Sequence, residues 1–417
     1  MRNISTSGLL IDELRAPIWR GLALANLRVE LEGKTFPLGS GEVVSTGRGV
    51  GIRLHTSKPG KDFVAALTSM KRPDLKVHTG ESMDGHIRFF ERMHMLHGHM
   101  RDMVFNNEAS TRAGWKKIHS KDEVARTFSR IEDGEIVATV SALQAWSNTW
   151  LGQHLGADPN RTGCSPGQLL LAFLDHVVPR DDCHRMLFFA TRGNERMQRI
   201  HERFAGMTGT NEAMIRCELD LWVVPRAKRK PLPPHVECRP PKRRELVMIE
   251  NAAGREFGPE AAHALSMSAD TLSLRDLSKR FARVGLERTR RIEVVLVDGE
   301  PVLAAIHEES SDGVCIAGFT NATWLFPLPP RQSIDTRALA SAQRAYVLSL
   351  PSAHADRFVV CSAADADAFR ALGAAIGFEL TMRVLNRSGL RRYTAYLNQS
   401  YGGAQTQRQQ GANVAAS

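Results

Sequence analysis

The chain has 417 residues, of which 42% are hydrophobic and 24% are charged, as in ordinary globular proteins. Lysine and arginine exceed aspartate and glutamate by 55 to 45, and the resulting net charge of +10 favours polyanionic partners without identifying one. The sequence has no run of about 18 apolar residues and no leader pattern, so it predicts neither a membrane span nor secretion, and we expect a cytoplasmic location.

The first block, residues 1–75, consists of short β-rich segments separated by glycine and proline. The alternation of Leu27, Val29 and Leu31 indicates a half-buried strand, and similar segments lie on both sides of it. Residues 63–70 follow with the pattern of a closing helix. The block is therefore predicted to be a small all-β module.

The second block, residues 80–225, mixes helical and strand periodicity. The predicted helices are 89–104, 167–178 and 194–204, and the predicted strands are 135–142, 149–155, 185–190 and 215–224. Ser165 as N-cap and Pro166 at the first helical position mark the start of the middle helix. These elements predict a mixed α/β domain.

Two segments have compositions that predict no packed hydrophobic core. Residues 226–244 are basic and rich in proline, which predicts an extended, solvated linker and the clearest domain boundary. Residues 399–417 are polar and rich in Gly, Gln and Ala, which predicts a disordered tail.

The third block, residues 245–398, repeats the element order of the second. Its predicted helices are 272–284, 336–350 and 364–377, and its predicted strands are 291–297, 301–308, 314–318, 356–362 and 378–384. The turn Asp298-Gly299 between the first two strands is a strong hairpin signal. The fold class is therefore multidomain α+β, with a small β module followed by two mixed α/β domains that we expect to superpose.

The first block carries a short motif, Asn3-Ile4-Ser5-Thr6-Ser7-Gly8, which matches the pattern [DN]-x-S-x-x-G. Together with the later segment Gly47-Arg48-Gly49-Val50-Gly51-Ile52, it resembles the PilZ family of cyclic di-GMP receptors. The resemblance implies a small β-barrel and a signalling role. It also implies cyclic di-GMP binding through Asn3, Ser5 and Gly8, since Asn and Ser can hydrogen-bond guanine and phosphate and glycine allows close approach.

One part of the PilZ pattern is missing. The family has an RxxxR turn ahead of this motif, but here Met1 precedes Asn3 by two residues. Those arginines make the charge-assisted contacts to phosphate and guanine. We therefore expect either an upstream extension that encodes the turn, or cyclic di-GMP binding that is weak or lost in this chain.

The two later blocks resemble the GNAT acyltransferase fold, and their tandem use resembles its FemAB-like branch. The likeness lies in the hairpin 291–308, the long helix from Thr336 and the ending Leu372-Gly373-Ala374-Ala375-Ile376-Gly377-Phe378. The resemblance implies an N-acyltransferase that uses acyl-CoA or aminoacyl-tRNA, with a protein or other acyl acceptor as partner.

The acyl-CoA signature of that fold is a [QR]-x-x-G-x-[GA] loop, whose N–H groups bind pyrophosphate at a helix start. The corresponding segment 160–167 is glycine-rich and opens a helix. We interpret its spacing as different from that of the signature, and Pro166 has no N–H to donate. Segment 327–332 has no glycine. Neither loop matches, so the catalytic residues are not assigned.

Other side chains offer weaker candidates. The segment with His94, His97 and His99 could bind a metal, since the first two histidines share a helix face. A further ligand for zinc is not evident, so ordinary helix-surface histidines are favoured. Tyr393 and Tyr396 could act as acids, or could pack. The ordinary interpretation is a core position for Trp146, Trp150 and Trp324 and for the six cysteines Cys164, Cys183, Cys217, Cys238, Cys315 and Cys361.

Two functions therefore stay open. The first is a cyclic di-GMP-responsive enzyme that transfers an acyl or aminoacyl group. The alternative is a non-catalytic regulatory protein that uses a degenerate acyltransferase fold as an interaction scaffold. Nucleic-acid binding through the basic segment 226–244 would depend on charge alone and is disfavoured.

Overall fold

The computed structural model describes residues 3–5, 8–11, 18–31, 33–46, 49–55, 63, 66, 75–77, 83–96, 98–121, 123–161, 166–208, 213–225, 229–350, 357–361 and 365–402. Across these residues, no helix combines the length and the apolar character that crossing a bilayer requires.

The N-terminal sheet has five antiparallel strands in the order β1-β2-β5-β4-β3. These are β1 Asn3–Ser5, β2 Gly8–Ile11, β3 Ala23–Leu31, β4 Lys34–Thr46 and β5 Val50–Leu54. Alternate residues of β4, such as Phe36 and Leu38, are buried and share a small core with Ile52 and Phe63. This period-2 burial confirms the predicted β character.

The N-terminal sheet does not close into the predicted barrel. In the described residues, β1 pairs with β2 alone and β3 pairs with β4 alone, so the sheet stays open. The three-residue β1 is too short to bridge to the other edge. Residues 47 and 48 of the second PilZ-like segment lie outside the described residues, as does most of the expected closing helix.

The first half of the body spans Leu75–Val224. Its strands are β6 Leu75–Val77, β7 Ala125–Glu132, β8 Glu135–Trp146, β9 Thr149–Ala157, β10 Arg185–Thr191 and β11 Ile215–Val224. Its helices are α1 Met83–Arg92, α2 Gly98–Asn106, α3 Glu108–Ser120, α4 Pro166–Val177 and α5 Glu195–Thr208.

The second half spans Val236–Leu397. Its strands are β12 Val236–Arg239, β13 Arg288–Val297, β14 Glu300–Ser310, β15 Ala322–Pro327, β16 Arg357–Cys361 and β17 Ala375–Asn386. Its helices are α6 Arg243–Phe257, α7 Pro259–Ala264, α8 Arg275–Arg283, α9 Thr336–Ser349, α10 Ala366–Arg370 and α11 Arg387–Leu397. Asp335 and Asn386 cap α9 and α11 by accepting backbone N–H groups.

Both halves share one sheet of twelve strands, in the order β12-β13-β14-β15-β16-β11-β17-β10-β9-β8-β7-β6. Each half contains one parallel pair, β9 with β10 and β15 with β16. The last strands are exchanged: β11 lies beside β16 of the second half, and β17 lies beside β10 of the first. β11 and β17 then pair antiparallel at the centre, from Ile215 with Val384 to Val223 with Ala375.

Buried polar contacts also join the halves. Glu308 on β14 is fully buried and accepts hydrogen bonds from the Arg288 and Arg290 guanidinium groups on β13. The Trp146 Nε1–H at the end of β8 donates to the same carboxylate at 3.0 Å. Because a buried carboxylate without these partners would be costly, this cluster fixes β8 against the second half.

Some predicted elements differ from those observed. The expected helix 89–104 is two helices, because the chain turns after α1 at His94, whose φ is 51°. Residues 314–318, an expected strand, form a turn with buried apolar side chains, and burial without regular periodicity misled the prediction. Of the expected helix 364–377, only α10 forms, since β17 begins at Ala375.

The expected linker 226–244 is not a free spacer. Residues 226–228 lie outside the described residues, and Val236–Arg239 form strand β12 at the edge of the large sheet, paired with β13. The N–H of Lys230 donates to the Leu348 carbonyl at 2.9 Å, and Arg229 Nε donates to the Ser349 carbonyl at 2.8 Å. This segment therefore packs against the end of α9.

Candidate functional site

The parallel strands β9 and β10 separate partway along the sheet. They pair from Thr149 with Arg185 to Gly152 with Phe188, after which β9 continues beside β8 and β10 beside β17. At the last paired position, a side chain on residue 152 would lie 2.2 Å from the Phe188 ring, so Gly152 is required. The edge of β9 beyond Gly152 consequently has no partner on β10.

A cavity of about 350 Å³ lies at this divergence. Residues 151–155 of β9 and 188–191 of β10 line its two sides, and residues from α1, α2 and the turn between them cover it. The second half contributes Ile316, Ala317 and Phe319 from the β14–β15 connection, and Phe378 and Leu380 from β17. Both halves therefore build this one cavity.

His154 is the ionisable residue of β9 that lines the cavity. It lies at a bulge, because Ser141 pairs with Gln153 while Thr139 pairs with Gly156, and its φ of 56° is rare for a residue other than glycine. Burial, together with the nearby His86 and His119, lowers the pKa of His154 to about 3. The imidazole is therefore neutral at pH 7.

A chain of hydrogen bonds determines which nitrogen of His154 carries the proton. His119 Nδ1 contacts the Trp115 carbonyl at 2.9 Å, so in neutral His119 this nitrogen donates and Nε2 accepts from the Thr127 hydroxyl at 2.7 Å. Thr127 then accepts from Ser141 at 2.8 Å, and Ser141 accepts from His154 Nδ1 at 3.2 Å. His154 Nε2 is left with a free lone pair.

Other polar atoms near the divergence are also available. His154 Nε2 and Gln153 Oε1 are buried, line the cavity and have no hydrogen-bond partner in the described part of the chain. Buried polar atoms without partners are rare in folded proteins and commonly indicate a ligand or water position. The arrangement can therefore accept a proton and donate to or accept from a polar ligand beside an apolar space.

The parallel strands of the second half have different side chains at the position equivalent to His154. Strands β15 and β16 pair from Ala322 with Phe358 to Trp324 with Val360. Two positions beyond the last pair lies buried Phe326, where the first half has His154. A carbon ring there offers no proton acceptor.

Ionic contacts also close the mouth of this second parallel pair. Arg331, which follows β15, donates to both carboxylate oxygens of Asp365 at 3.0 Å and to Glu256 at 2.6 and 3.1 Å. Burial disfavours the charged guanidinium, but its hydrogen bonds to Asp365 and Glu256 raise the pKa of Arg331 overall. The bridge joins the ends of β15 and β16 to helix α6.

The structure brings part of the PilZ-like motif together without testing its ligand. Asn3 and Ser5 lie on β1, and their side chains are outside the described residues. Gly8 starts β2 and pairs with Ser5 and Arg53. A side chain on residue 8 would lie 2.8 Å from the Ile52 carbonyl oxygen, so close strand packing already requires this glycine. Cyclic di-GMP binding stays a prediction.

The remaining candidates lie in the core, outside the described residues or, in the case of His94, in the turn that lines the cavity. His94 lies in a turn, His97 is outside the described residues, and no group of three potential metal ligands occurs in the described part of the chain. Tyr393 and Tyr396 are buried beside Phe204, as are Trp146, Trp150 and Trp324 in their own clusters, which confirms that these aromatic residues belong to the core. Cys183, Cys315 and Cys361 are buried thiols.

His154 and its hydrogen-bond chain were not predicted. The residue lies inside the predicted strand 149–155, and its only sequence signal is a polar residue shortly after Gly152. The following loop also had a missed signal. Counted from Asn160, Gly163 and Ser165 have the spacing of the [QR]-x-x-G-x-[GA] pattern, with Asn in place of Gln or Arg and Ser in place of Gly or Ala. Residues 162–165 lie outside the described residues.

Comparison with known proteins supports a family for part of the first half. Residues 77–207 match the family model described as the acetyltransferase (GNAT) family. No curated protein sequence matches the chain.

Solved structures give weaker similarities. A GCN5-related N-acetyltransferase from Sphaerobacter thermophilus is 12% identical, over 75% of this chain and 96% of that one, with a TM-score of 0.41. A tandem GNAT protein from the clavulanic acid biosynthesis pathway is 11% identical, over 75% and 98%, with a TM-score of 0.35. A GNAT-family acetyltransferase from Colwellia psychrerythraea is 9% identical, over 70% and 98%, with a TM-score of 0.31.

With TM-scores this low, these structures carry no argument about activity. The family match and the strand order agree for the segment that includes β9, His154 and β10. Residues 77–207 of the first half are thus similar to the acetyltransferase (GNAT) family.

Proposed function

We propose that the first half transfers an acyl group from a coenzyme A thioester to an amine acceptor. The observation that carries this proposal is the cavity at the divergence of β9 and β10, lined by a histidine whose Nε2 has a free lone pair. The family match over residues 77–207 supports the same reaction class.

The residues present fit an acyl-CoA donor. The unpaired edge of β9 beyond Gly152 and the buried Gln153 Oε1 can hydrogen-bond the amides of a pantetheine arm. The glycine-containing loop from Asn160 leads into α4, and a helix start with free N–H groups favours a pyrophosphate. Pro166 removes one such donor, so Gly167 provides the first helical N–H.

In this proposal, the donor supplies a thioester carbonyl carbon, to which the acceptor nitrogen bonds as the C–S bond breaks. His154 Nε2 accepts the proton that the acceptor nitrogen loses, and the coenzyme A thiolate leaves and is protonated from solvent. His154 passes its Nδ1 proton to Ser141, Ser141 passes one to Thr127, and Thr127 passes one to His119 Nε2. The positive charge thus moves from His154 to His119, which is also buried.

This relay gives the proton that His154 accepts a second possible location, on His119. A lone imidazolium at His154 would be strongly disfavoured, since burial lowers the pKa of His154 to about 3. Transfer along the chain avoids leaving the charge there.

The test measures thiol release from coenzyme A thioesters with a panel of primary amines. The wild-type protein should release thiol faster than buffer, and His154→Gln should lower kcat/KM by about 100-fold or more. The control is His307→Gln on β14 of the second half, where His307 contacts Thr323 and Glu309 and lies outside the cavity.

Absence of thiol release by folded wild-type protein, together with no binding of coenzyme A, would contradict the proposal. It would favour the alternative of a non-catalytic scaffold. Transfer of the aminoacyl group from aminoacyl-tRNA to an amine, without transfer from any coenzyme A thioester, would retain acyl transfer and reject this donor.

A further inference from the structure

The cavity at the divergence of β9 and β10 has an uncharged and largely apolar lining. None of the described side chains that line it is Asp, Glu, Lys or Arg. Besides His154, its polar side chains are His94, Gln153, Thr191 and Asn194, and the rest are aliphatic, aromatic or methionine. A charged ligand group inside would have no counter-ion, whereas a hydrocarbon would be well solvated by the lining.

The methionines of the lining add adaptability. Met93, Met95 and Met100 come from α2 and the turn before it, and Met197 comes from α5. Methionine is flexible and polarizable, so it fills irregular apolar space around chains of different shape. This wall can therefore accommodate a linear chain.

The volume exceeds what an acetyl group requires. An engineered apolar cavity of about 150 Å³ binds benzene, which has six carbon atoms. By proportion, the cavity of about 350 Å³ would hold roughly 14 carbon-sized atoms. An acetyl group has three heavy atoms, so room for roughly 11 more carbon-sized atoms remains, to be shared by a longer acyl chain and the inner end of the pantetheine arm.

The second half supplies one part of the cavity wall. The Phe319 ring stacks on Phe189 of β10 with centroids 3.9 Å apart and planes at 21°. Ala317 lies two residues earlier in the same connection and lines the cavity with a methyl group only. Residue 317 is therefore where a larger side chain would shorten the space with least change to β9 and β10.

We infer that this cavity holds the acyl chain of the donor, an unbranched hydrocarbon chain of about eight carbons. The inference depends on the proposed acyl transfer, since it names the donor class for that site. Both strands that diverge beside His154 line the cavity, so a chain attached to a carbonyl near His154 has direct access to it. Each buried methylene should tighten binding about fourfold, equivalent to about 0.8 kcal/mol.

The experiment compares the binding of coenzyme A, acetyl-CoA and octanoyl-CoA to the full chain by titration calorimetry. Octanoyl-CoA should bind at least about tenfold more tightly than acetyl-CoA, even if the six extra methylenes are only partly buried. Ala317→Phe should abolish this difference. Ala375→Phe, an exposed position on β17 that does not line the cavity, is the matched control and should keep the difference.

Each result decides a separate question. Equal affinities for acetyl-CoA and octanoyl-CoA in the wild-type protein would overturn the inference and leave acyl transfer standing. No binding of any coenzyme A species would contradict the proposed function itself. Tighter binding of octylamine than of ethylamine, with no chain-length effect among the thioesters, would assign the cavity to the acceptor and also overturn the inference.

Discussion

The two halves of the body share a strand order but differ where their parallel strands separate. In the first half, the divergence of β9 and β10 borders a cavity lined by His154. In the second half, Phe326 occupies the equivalent strand position, and Arg331 bridges Asp365 and Glu256 across the mouth. The same backbone arrangement can therefore be a reactive cleft or a closed structural element, depending on a few side chains.

The second half has a supporting role in this comparison. It contributes Phe319 and Phe378 to the cavity of the first half, and its last strand, β17, pairs with β10. We expect changes that alter catalysis to be concentrated in the first half, and changes in the second half that lie outside the cavity to alter stability. The following predictions test that division, beginning with the largest expected effect.

The first prediction breaks the hydrogen-bond chain behind His154. Ser141→Ala removes the hydroxyl that joins His154 to Thr127, so protons can no longer pass to His119. We expect kcat to fall by about 10- to 100-fold with little change in KM, measured by thiol release. Thr323→Ala removes the corresponding histidine contact in the second half, to His307, and should change kcat less than about twofold. Equal losses in both variants would contradict the division between the halves.

The second prediction opens the closed mouth of the second half. Arg331→Gln leaves the nearly buried Asp365 and Glu256 carboxylates without a guanidinium, so the free energy of unfolding should fall by about 1–3 kcal/mol. Urea unfolding measures this change, and thiol release should be unaffected. The exposed Arg337→Gln is the control, with an expected change within about 0.5 kcal/mol. A loss of activity on opening this mouth would show that the second half has its own catalytic role.

The third prediction concerns acid stability. Burial, with a contribution from Arg383, lowers the pKa of His201 on α5 to about 3. The folded protein keeps this residue neutral while the unfolded chain binds a proton near pH 6.5. Its contribution to stability is therefore complete above pH 6.5 and is lost progressively as the pH falls towards 3. Urea unfolding at pH 7 and pH 5 measures how much the free energy of unfolding falls between these two values. His201→Leu should reduce this fall by about 1–2 kcal/mol, whereas His235→Leu, at an exposed position, should leave it unchanged. An unchanged pH slope in His201→Leu would reject this assignment.

The last prediction concerns the N-terminal sheet. Asn3, Ser5 and Gly8 offer cyclic di-GMP neutral or backbone hydrogen bonds of about 0.5–1.5 kcal/mol each, without the paired arginines of the PilZ pattern. Calorimetry on residues 1–417 should therefore detect binding only in the high micromolar to millimolar range, two to four decades weaker than a site with both arginines. Binding at low micromolar concentration would show that other arginines, with Arg48 the first candidate, replace the missing turn.

Local patterns predicted much of this fold. The alternation of β3 and the turn at Asp298, with φ values of 51° and 83° at Asp298 and Gly299, were readable because adjacent residues determine them. The exchange of β11 and β17 could not be predicted, because pairing between strands so far apart in the sequence leaves no local signal. The site was partly hidden for the same reason. His154 acquires its role from Thr127 on β7, Ser141 on β8 and His119 on α3, which only the folded sheet brings together.

The exchanged strands have a consequence for how the protein is made. β11 and β17 pair through Ile215 and Val384, so the ribosome must add about 170 further residues after β11 before its partner exists. At about 5–20 residues per second, the free edges of β10 and β11 would wait roughly 10–30 s. Until then, the nascent first half presents unpaired strand edges that invite chaperone binding or aggregation. A chain cut between the halves would keep that vulnerability permanently, so we expect the halves to remain soluble only when both are present.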